Sequence, residues 1–372
     1  MNGGTATGFA PGTAEPVSPR ASVLQVAKAA GLFGVARRLT RKQLRILCYH
    51  GVWLGGPPHY GDCLFMSIER FVSRIELLQR LGYPVLPLDE AVSRLADGTL
   101  PDCAVAITID DGWYSTAAAM LPVLKRYRMP ATVYVTTYYA LARRPVLNVL
   151  LGFMLARCEQ LPPPEALPEA ARALMPENRF PGEEDRQRIA AALSDHLDRL
   201  PALDARWGAL ERLAQAFRFD LGAVLADRRF DLMTEDEIRA MRHDGFDVQL
   251  HTHSHRMHDF VPARLREEIV RNRKVLAVTL GENPETFTHF CYPSGVYHEK
   301  VFGVLREQGI RSATTTEFGL NPRGSEPLAL RRILDCESHS DLELEARLCG
   351  FWSLLSRAKH MLTALGSPRR RP

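Results

Sequence analysis

Two stretches of the chain carry side chains whose types and spacing suit catalysis. The run Val105-Ala-Ile-Thr-Ile109 passes straight into Asp110-Asp111-Gly112. Adjacent carboxylates repel unless positive charge stands beside them, and a metal ion bound by one leaves the other free as a base. Asp and Gly also supply plain turn geometry, so this pair alone decides nothing. The second stretch, Gln249-Leu-His251-Thr-His253-Ser-His255, again follows a strand-like run, and His258 makes a fourth histidine close by. Neutral imidazole is the commonest side-chain ligand of zinc and its neighbours. Two histidines and one aspartate would leave coordination positions for water and substrate, as a catalytic metal requires.

These residues need strand ends to hold them. An apolar run short enough for a buried strand occurs at 44–49, and strand-like runs follow at 83–88, 105–109, 131–136, 247–250, around Phe290 and at 312–316. Between them the spacing predicts helices: one capped by Ser67 and ending at Gly82, others over 89–97, 115–127, 264–279 and 299–308, and one opened by the capping box Thr234-x-x-Glu237. Repeated β-then-α units predict parallel strands with helices outside, and in such folds active sites sit at the carboxyl ends of the strands. Residues 141–231 break the rhythm with proline-separated, Ala- and Leu-rich segments and read as a helical insertion. Residues 1–43 read as a disordered tail, 1–21, followed by a basic helix with Val23, Val26, Ala27, Leu32 and Val35 on one face. The barrel-like region spans 44–340, and 341–372 is a helical, basic extension.

Composition narrows the function classes. A formal net charge of +4 on 372 residues is too weak to indicate nucleic acid. Basic residues gather near the ends, at Arg37, Arg38, Arg41, Lys42, Arg45 and Arg369–Arg371, leaving peripheral contact with an anionic membrane surface open. No window is apolar enough to span a bilayer and no secretory signal is visible, so a cytoplasmic location is expected. Seven scattered cysteines without a C-x-x-C pair predict neither a disulfide framework nor a structural zinc site.

The strand-borne Thr108-Ile-Asp110-Asp111-Gly112 and His251-Thr-His253-Ser-His255 resemble the first two motifs of the polysaccharide deacetylase family, also called NodB-homology or carbohydrate esterase 4. Phe290-Cys-Tyr292-Pro-Ser294-Gly295 resembles the third. The resemblance implies a deformed (β/α) barrel of the NodB-homology type, here with a helical insertion. It also implies metal-dependent hydrolysis of N-acetyl, sometimes O-acetyl, groups on amino sugars of a polysaccharide or its precursor, with a divalent metal of the zinc kind. Carried over by position, Asp110 is the general base, while Asp111, His251 and His255 hold the metal. Thr252 and Ser254 shape the ligand loop, and Tyr292 and Ser294 belong to the oxyanion and substrate region, the Ser294 N–H donating to the oxyanion. Two departures stand out. The arginine that orients the base in motif three is missing, with Arg332 the preferred replacement. No clear acid-bearing motif closes the chain either, but Tyr49-His50-Gly51-Val52 resembles members with circularly permuted motifs, which makes His50 the candidate acid ahead of His339.

Other classes fit less well. The facial triad of non-haem iron oxygenases also uses two histidines and a carboxylate, but places the carboxylate near the first histidine. A non-catalytic sugar-binding relative would have no need of all four motif residues. O-acetyl esterase and deformylase chemistry remain alternatives, because the same carbonyl chemistry serves them.

Overall fold

The computed structural model describes residues 19–160, 162–176, 180–257 and 260–356. Seven parallel strands form one closed barrel: β1 (Arg45–Tyr49), β2 (Val105–Ile109), β3 (Thr132–Val135), β4 (Asp247–Leu250), β5 (His289–Cys291), β6 (Ser312–Phe318) and β7 (Leu330–Leu334). Each pairs with the next, and β7 returns to β1 through Leu47–Ile333 and Cys48–Leu334. This is the expected (β/α) barrel. β1, β2 and β3 are buried at every position, so they read as mostly apolar runs rather than alternating ones.

Register aligns the site. Tyr49 lies opposite Ile109 and the Asp110 N–H donates to the Tyr49 carbonyl, which sets His50 and Asp110 side by side beyond two neighbouring strands. Leu250 pairs with both Val135 and Phe290, so His251 leaves the barrel between β3 and β5. The surrounding helices follow their sequence signals. The Ser67 hydroxyl accepts from Arg70 at the head of Ile68–Arg80, and Thr234 and Glu237 exchange both bonds of a capping box before Glu235–His243.

Several expectations need correction. Residues 83–88 are not a strand; only Val85 bridges to Val105, because Pro84 and Pro87 offer no N–H to a ladder. The seventh strand is instead Leu330–Leu334, which the two arginines had disguised. The basic N-terminal segment forms two helices, Pro19–Ala29 and Leu32–Leu39, broken where Gly31 takes φ 76°. They belong to a compact unit of their own with Asp341–Leu348, in which Leu24, Ala27, Phe33 and Ala36 pack with Ala346 and Cys349. Val23, Val26, Leu32 and Val35, the expected face, are exposed instead. The tail 1–18, His258 and the arginines at 369–371 lie outside the described residues. No helix among those described is long and apolar enough to cross a membrane.

Between β3 and β4 the chain runs through the helices Leu147–Arg157, Glu183–Asp198, Leu203–Ala216 and Leu221–Ala226, with no strand among the described residues. Arg186 donates to the carbonyls of Leu155 and Ala156 at 3.0 and 2.8 Å, joining the first two of these helices. Phe153 packs on Trp53 and Phe230 with ring centroids 5.5 and 5.1 Å apart, anchoring the insertion to the loop after β1.

Cys63 and Cys336 form a disulfide across 273 residues of sequence, a bond that the cysteine spacing gave no reason to expect. Spacing could not show it, since the two meet only because β1 and β7 are barrel neighbours. A polar clasp surrounds the bond. Ser338 donates to Asp62 through its N–H and hydroxyl, and Ser67 donates likewise to Glu337. Arg74 and Asp335 pair at 2.8 Å with both side chains fully buried. Two measurements test this seam. Protein folded under oxidising conditions should expose five reactive thiols when denatured without reductant and seven after reduction. Asp335→Ala should lower unfolding free energy in a urea titration by about 3–5 kcal/mol, because it strands a buried guanidinium.

Candidate active site

β2 ends in a turn that sends two consecutive carboxylates in different directions. Asp111 has φ 71° and Gly112 φ 83°, both left-handed. A Cβ on Gly112 would also press within 3.2 Å of Val135, so glycine is required there on two counts. Asp110 turns inward to Arg332, which reaches it from β7. Oδ1 accepts from NH1 and Oδ2 from NH2, each at 2.7 Å. Arg332 is wholly buried, and its Nε donates to the Thr315 carbonyl at 2.7 Å. Burial alone would raise the Asp110 carboxyl, but the Arg332 charge and hydrogen bonds outweigh it and lower it to about 2. The thiols of Cys291 and Cys48 lie 3.4 and 3.6 Å from Oδ2.

Asp111 faces the histidines. Its Oδ1 lies 3.0 Å from His251 Nε2 and 3.2 Å from His255 Nε2, while Oδ2 accepts from the Trp113 indole N–H at 2.8 Å. Burial opposes ionisation here as well, yet the two imidazoles hold the carboxyl well below its usual range. His251 is fixed from behind. Its Nδ1 donates to the Cys291 carbonyl at 2.9 Å, which directs Nε2 at the cluster, where it would be the atom to ligate a metal. Its backbone N–H donates to Asn272 Oδ1, and Asn272 in turn donates to the Val135 carbonyl. The loop to His255 folds back through left-handed Thr252 and His255, φ 61° and 59°, with the Ser254 N–H held by Glu268 at 2.7 Å. The imidazoles of His251 and His255 thereby stand 4.8 Å apart, centroid to centroid. His253 turns away and meets the Thr137 hydroxyl instead.

One carboxylate oxygen and two imidazole nitrogens within 4.8 Å of one another form a donor set that fits a divalent ion. His255 is 37% exposed, so the set is open on one side. That side meets a cavity of about 300 Å³ whose wall includes Trp113, Tyr139 and Leu232, together with Leu147, Val149 and Leu197 of the insertion.

His50 Nε2 lies 3.9 Å from Asp110 Oδ2, and its buried Nδ1 has no partner among the described residues. His339 is engaged elsewhere, 3.3 Å from Asp335 in the clasp. Ser294 occupies a left-handed turn position, φ 56°, and is exposed. Tyr292 requires correction as a substrate-facing side chain: it is fully buried and its hydroxyl donates to the Leu328 carbonyl at 2.8 Å. Sequence reasoning missed Trp113, Asn272 and Cys291. Only Asn272 left a signal, as a lone amide on the inward face of a helix.

Metal binding can be read directly by calorimetry with Zn²⁺. His251→Ala and Asp111→Asn should each weaken binding by at least 10-fold, and Asp110→Asn should change it little. Loss of binding in Asp110→Asn with binding kept in Asp111→Asn would reverse the assignment of the two aspartates.

The polysaccharide deacetylase family model matches residues 97–169 and 211–313, its gap falling within the insertion. Comparison with curated proteins gives no match. Among solved structures, the Streptococcus pyogenes deacetylase PplD, determined with acetate, superposes with a TM-score of 0.54 at 17% identity, covering 83% of this chain and 99% of that one. IcaB from Ammonifex degensii gives 0.50 at 20%, with 82% and 97% covered. A de-N-acetylase from Aggregatibacter actinomycetemcomitans gives 0.50 at 15%, with 82% and 99% covered. At such identities the structural likeness is one of fold. Taken with the matched family model, it agrees with the motif-bearing strand ends, and the chain belongs to the polysaccharide deacetylase family.

Proposed function

We propose that this protein removes N-acetyl groups from amino sugars of a polysaccharide or its precursor, with a divalent ion of the zinc kind at Asp111, His251 and His255. One observation carries the reading: an arginine-clamped carboxylate stands directly beside a second carboxylate that faces two imidazoles.

When bound, a divalent ion supplies Lewis acidity toward the acetyl carbonyl and the attacking water. The other tasks fall to the chain. Asp110 receives the water's proton. Held low by Arg332, it is a weak base, which is why it must work next to a site that acidifies water. The bidentate grip also fixes the direction of its lone pairs. Amide cleavage expels a poor leaving group, and His50, 3.9 Å from the same carboxylate, is the group to protonate the departing amine. An imidazole suits proton delivery near neutral pH. The backbone N–H of Ser294 donates to the oxyanion.

Compartment and surroundings belong to the same reading. The Cys63–Cys336 bond favours an oxidising compartment over the cytoplasmic location expected from the sequence. Exposed Val23, Val26, Leu32, Val35 and Leu39 beside Arg38 support peripheral contact with an anionic surface.

Acetate release from N-acetylated oligosaccharides, against O-acetylated ones, tests the activity. It should stop with chelator and return with Zn²⁺. Asp110→Asn should lower turnover by about 10²–10⁴-fold while keeping the metal. His50→Ala should lower turnover with KM nearly unchanged, and full turnover in that variant would remove His50 as the acid.

A further inference from the structure

A second cavity, of about 540 Å³, adjoins the first, and Tyr139, Ser254 and Arg256 line both. Its lining is cationic: Arg206, Arg256, Arg264 and Arg271 against Glu267 and Glu268. Not all of these charges are available. Asp198, at the end of the insertion helix Glu183–Asp198, pairs with Arg256 and lies 3.7 Å from Arg206. Glu268 accepts the Ser254 N–H behind the metal-ligand loop. Arg264 and Arg271 differ from the other two. They stand seven residues apart on one face of the helix Pro262–Leu280, with no hydrogen bond or ion pair among the described residues. Glu267 sits between them in sequence but pairs with neither.

Two guanidiniums that line one cavity and are unengaged among the described residues suit phosphate or carboxylate oxygens there. The adjoining wall is the loop that carries His255, so a ligand filling the first cavity would extend into the second. At about 300 Å³ the first cavity is at the small end of ligand pockets, the size class for one sugar unit rather than several. We propose that the second cavity holds an anionic group, phosphate or carboxylate, borne by the acetylated substrate next to the sugar that is deacetylated. This deepens the deacetylase reading and rests on it. The substrate class is then a charged glycan or a phosphate-linked sugar.

The test has one arm that does not depend on turnover. Inorganic pyrophosphate is titrated calorimetrically into the full chain and into an Arg264→Gln/Arg271→Gln double variant. Binding should weaken about 10- to 100-fold in the variant and with added salt. Unchanged affinity overturns the proposal, as does absence of binding to the parent protein. In the second arm, acetate release is compared on a neutral N-acetylated oligosaccharide, on one containing a uronic acid, and on an N-acetylated sugar phosphate. The parent should favour a charged substrate, and the variant should lose that preference through KM while its rate on the neutral one is unchanged. A preference for the uronate identifies a carboxylate, and one for the phosphate identifies a phosphoryl group. Equal rates on all three overturn the proposal while leaving the deacetylase reading intact. Failure of every substrate, with pyrophosphate still bound through Arg264 and Arg271, counts against the deacetylase reading alone.

Discussion

Everything at the mouth of the barrel depends on the pair formed by Asp110 and Arg332. Both are buried, and removing either charge from water costs several kcal/mol. The geometry offsets much of that: two parallel hydrogen bonds at 2.7 Å, with Arg332 Nε satisfied by the Thr315 carbonyl. The pair also settles the conflict between neighbouring carboxylates. With Asp110 neutralised from inside the barrel, Asp111 is free to turn outward and gather two imidazoles. Two residues of one chemical type thus acquire different tasks from their surroundings alone.

The outward half of the site is built on backbone that other structure must hold in place. Asp111, Thr252, His255 and Ser294 all have positive φ, and none is glycine. Each such residue costs on the order of 1–3 kcal/mol. Their supports are visible: Trp113 on Asp111, Cys291 and Asn272 on His251, Glu268 on the His255 loop. These groups come from the turn after β2, from β5 and from the helix Pro262–Leu280, so the site is held by elements far apart in sequence. The insertion adds the remaining wall. Its Asp198 reaches Arg256, the residue after His255, so insertion and ligand loop are joined by an ion pair.

Much of this was legible in the sequence. The strand before Asp110 stood out as a buried apolar run, and the capping residues Ser67 and Thr234 marked helix starts where they occur. What escaped had physical reasons. Leu330–Leu334 hides a fully buried arginine beside an exposed one, and charge inside a strand reads as surface. The 83–88 run has the right apolar content but prolines at the two places where a ladder needs donors. In the N-terminal helices the buried row is shifted by one position from the row expected, because Leu24 and Phe33, rather than Val23 and Leu32, meet the C-terminal helix. Long-range partnerships such as Cys63 with Cys336 leave no local trace at all.

The placement of Arg332 on the last barrel strand bears on how the protein is made. Asp110 emerges from the ribosome 222 residues ahead of its partner. At typical elongation rates of about 5–20 residues per second, that interval is roughly 10–45 s. Throughout it the nascent chain can pair β1 to β2 but has no guanidinium for the carboxylate between them. Burying Asp110 at that stage would leave an uncompensated charge, so the half-built barrel is kept open. Docking of β7 completes the hydrogen-bonded ring and neutralises Asp110 in one step. Translation order and electrostatics together place ring closure after the synthesis of β7, and a chain stopped short of residue 332 lacks the guanidinium that Asp110 pairs with.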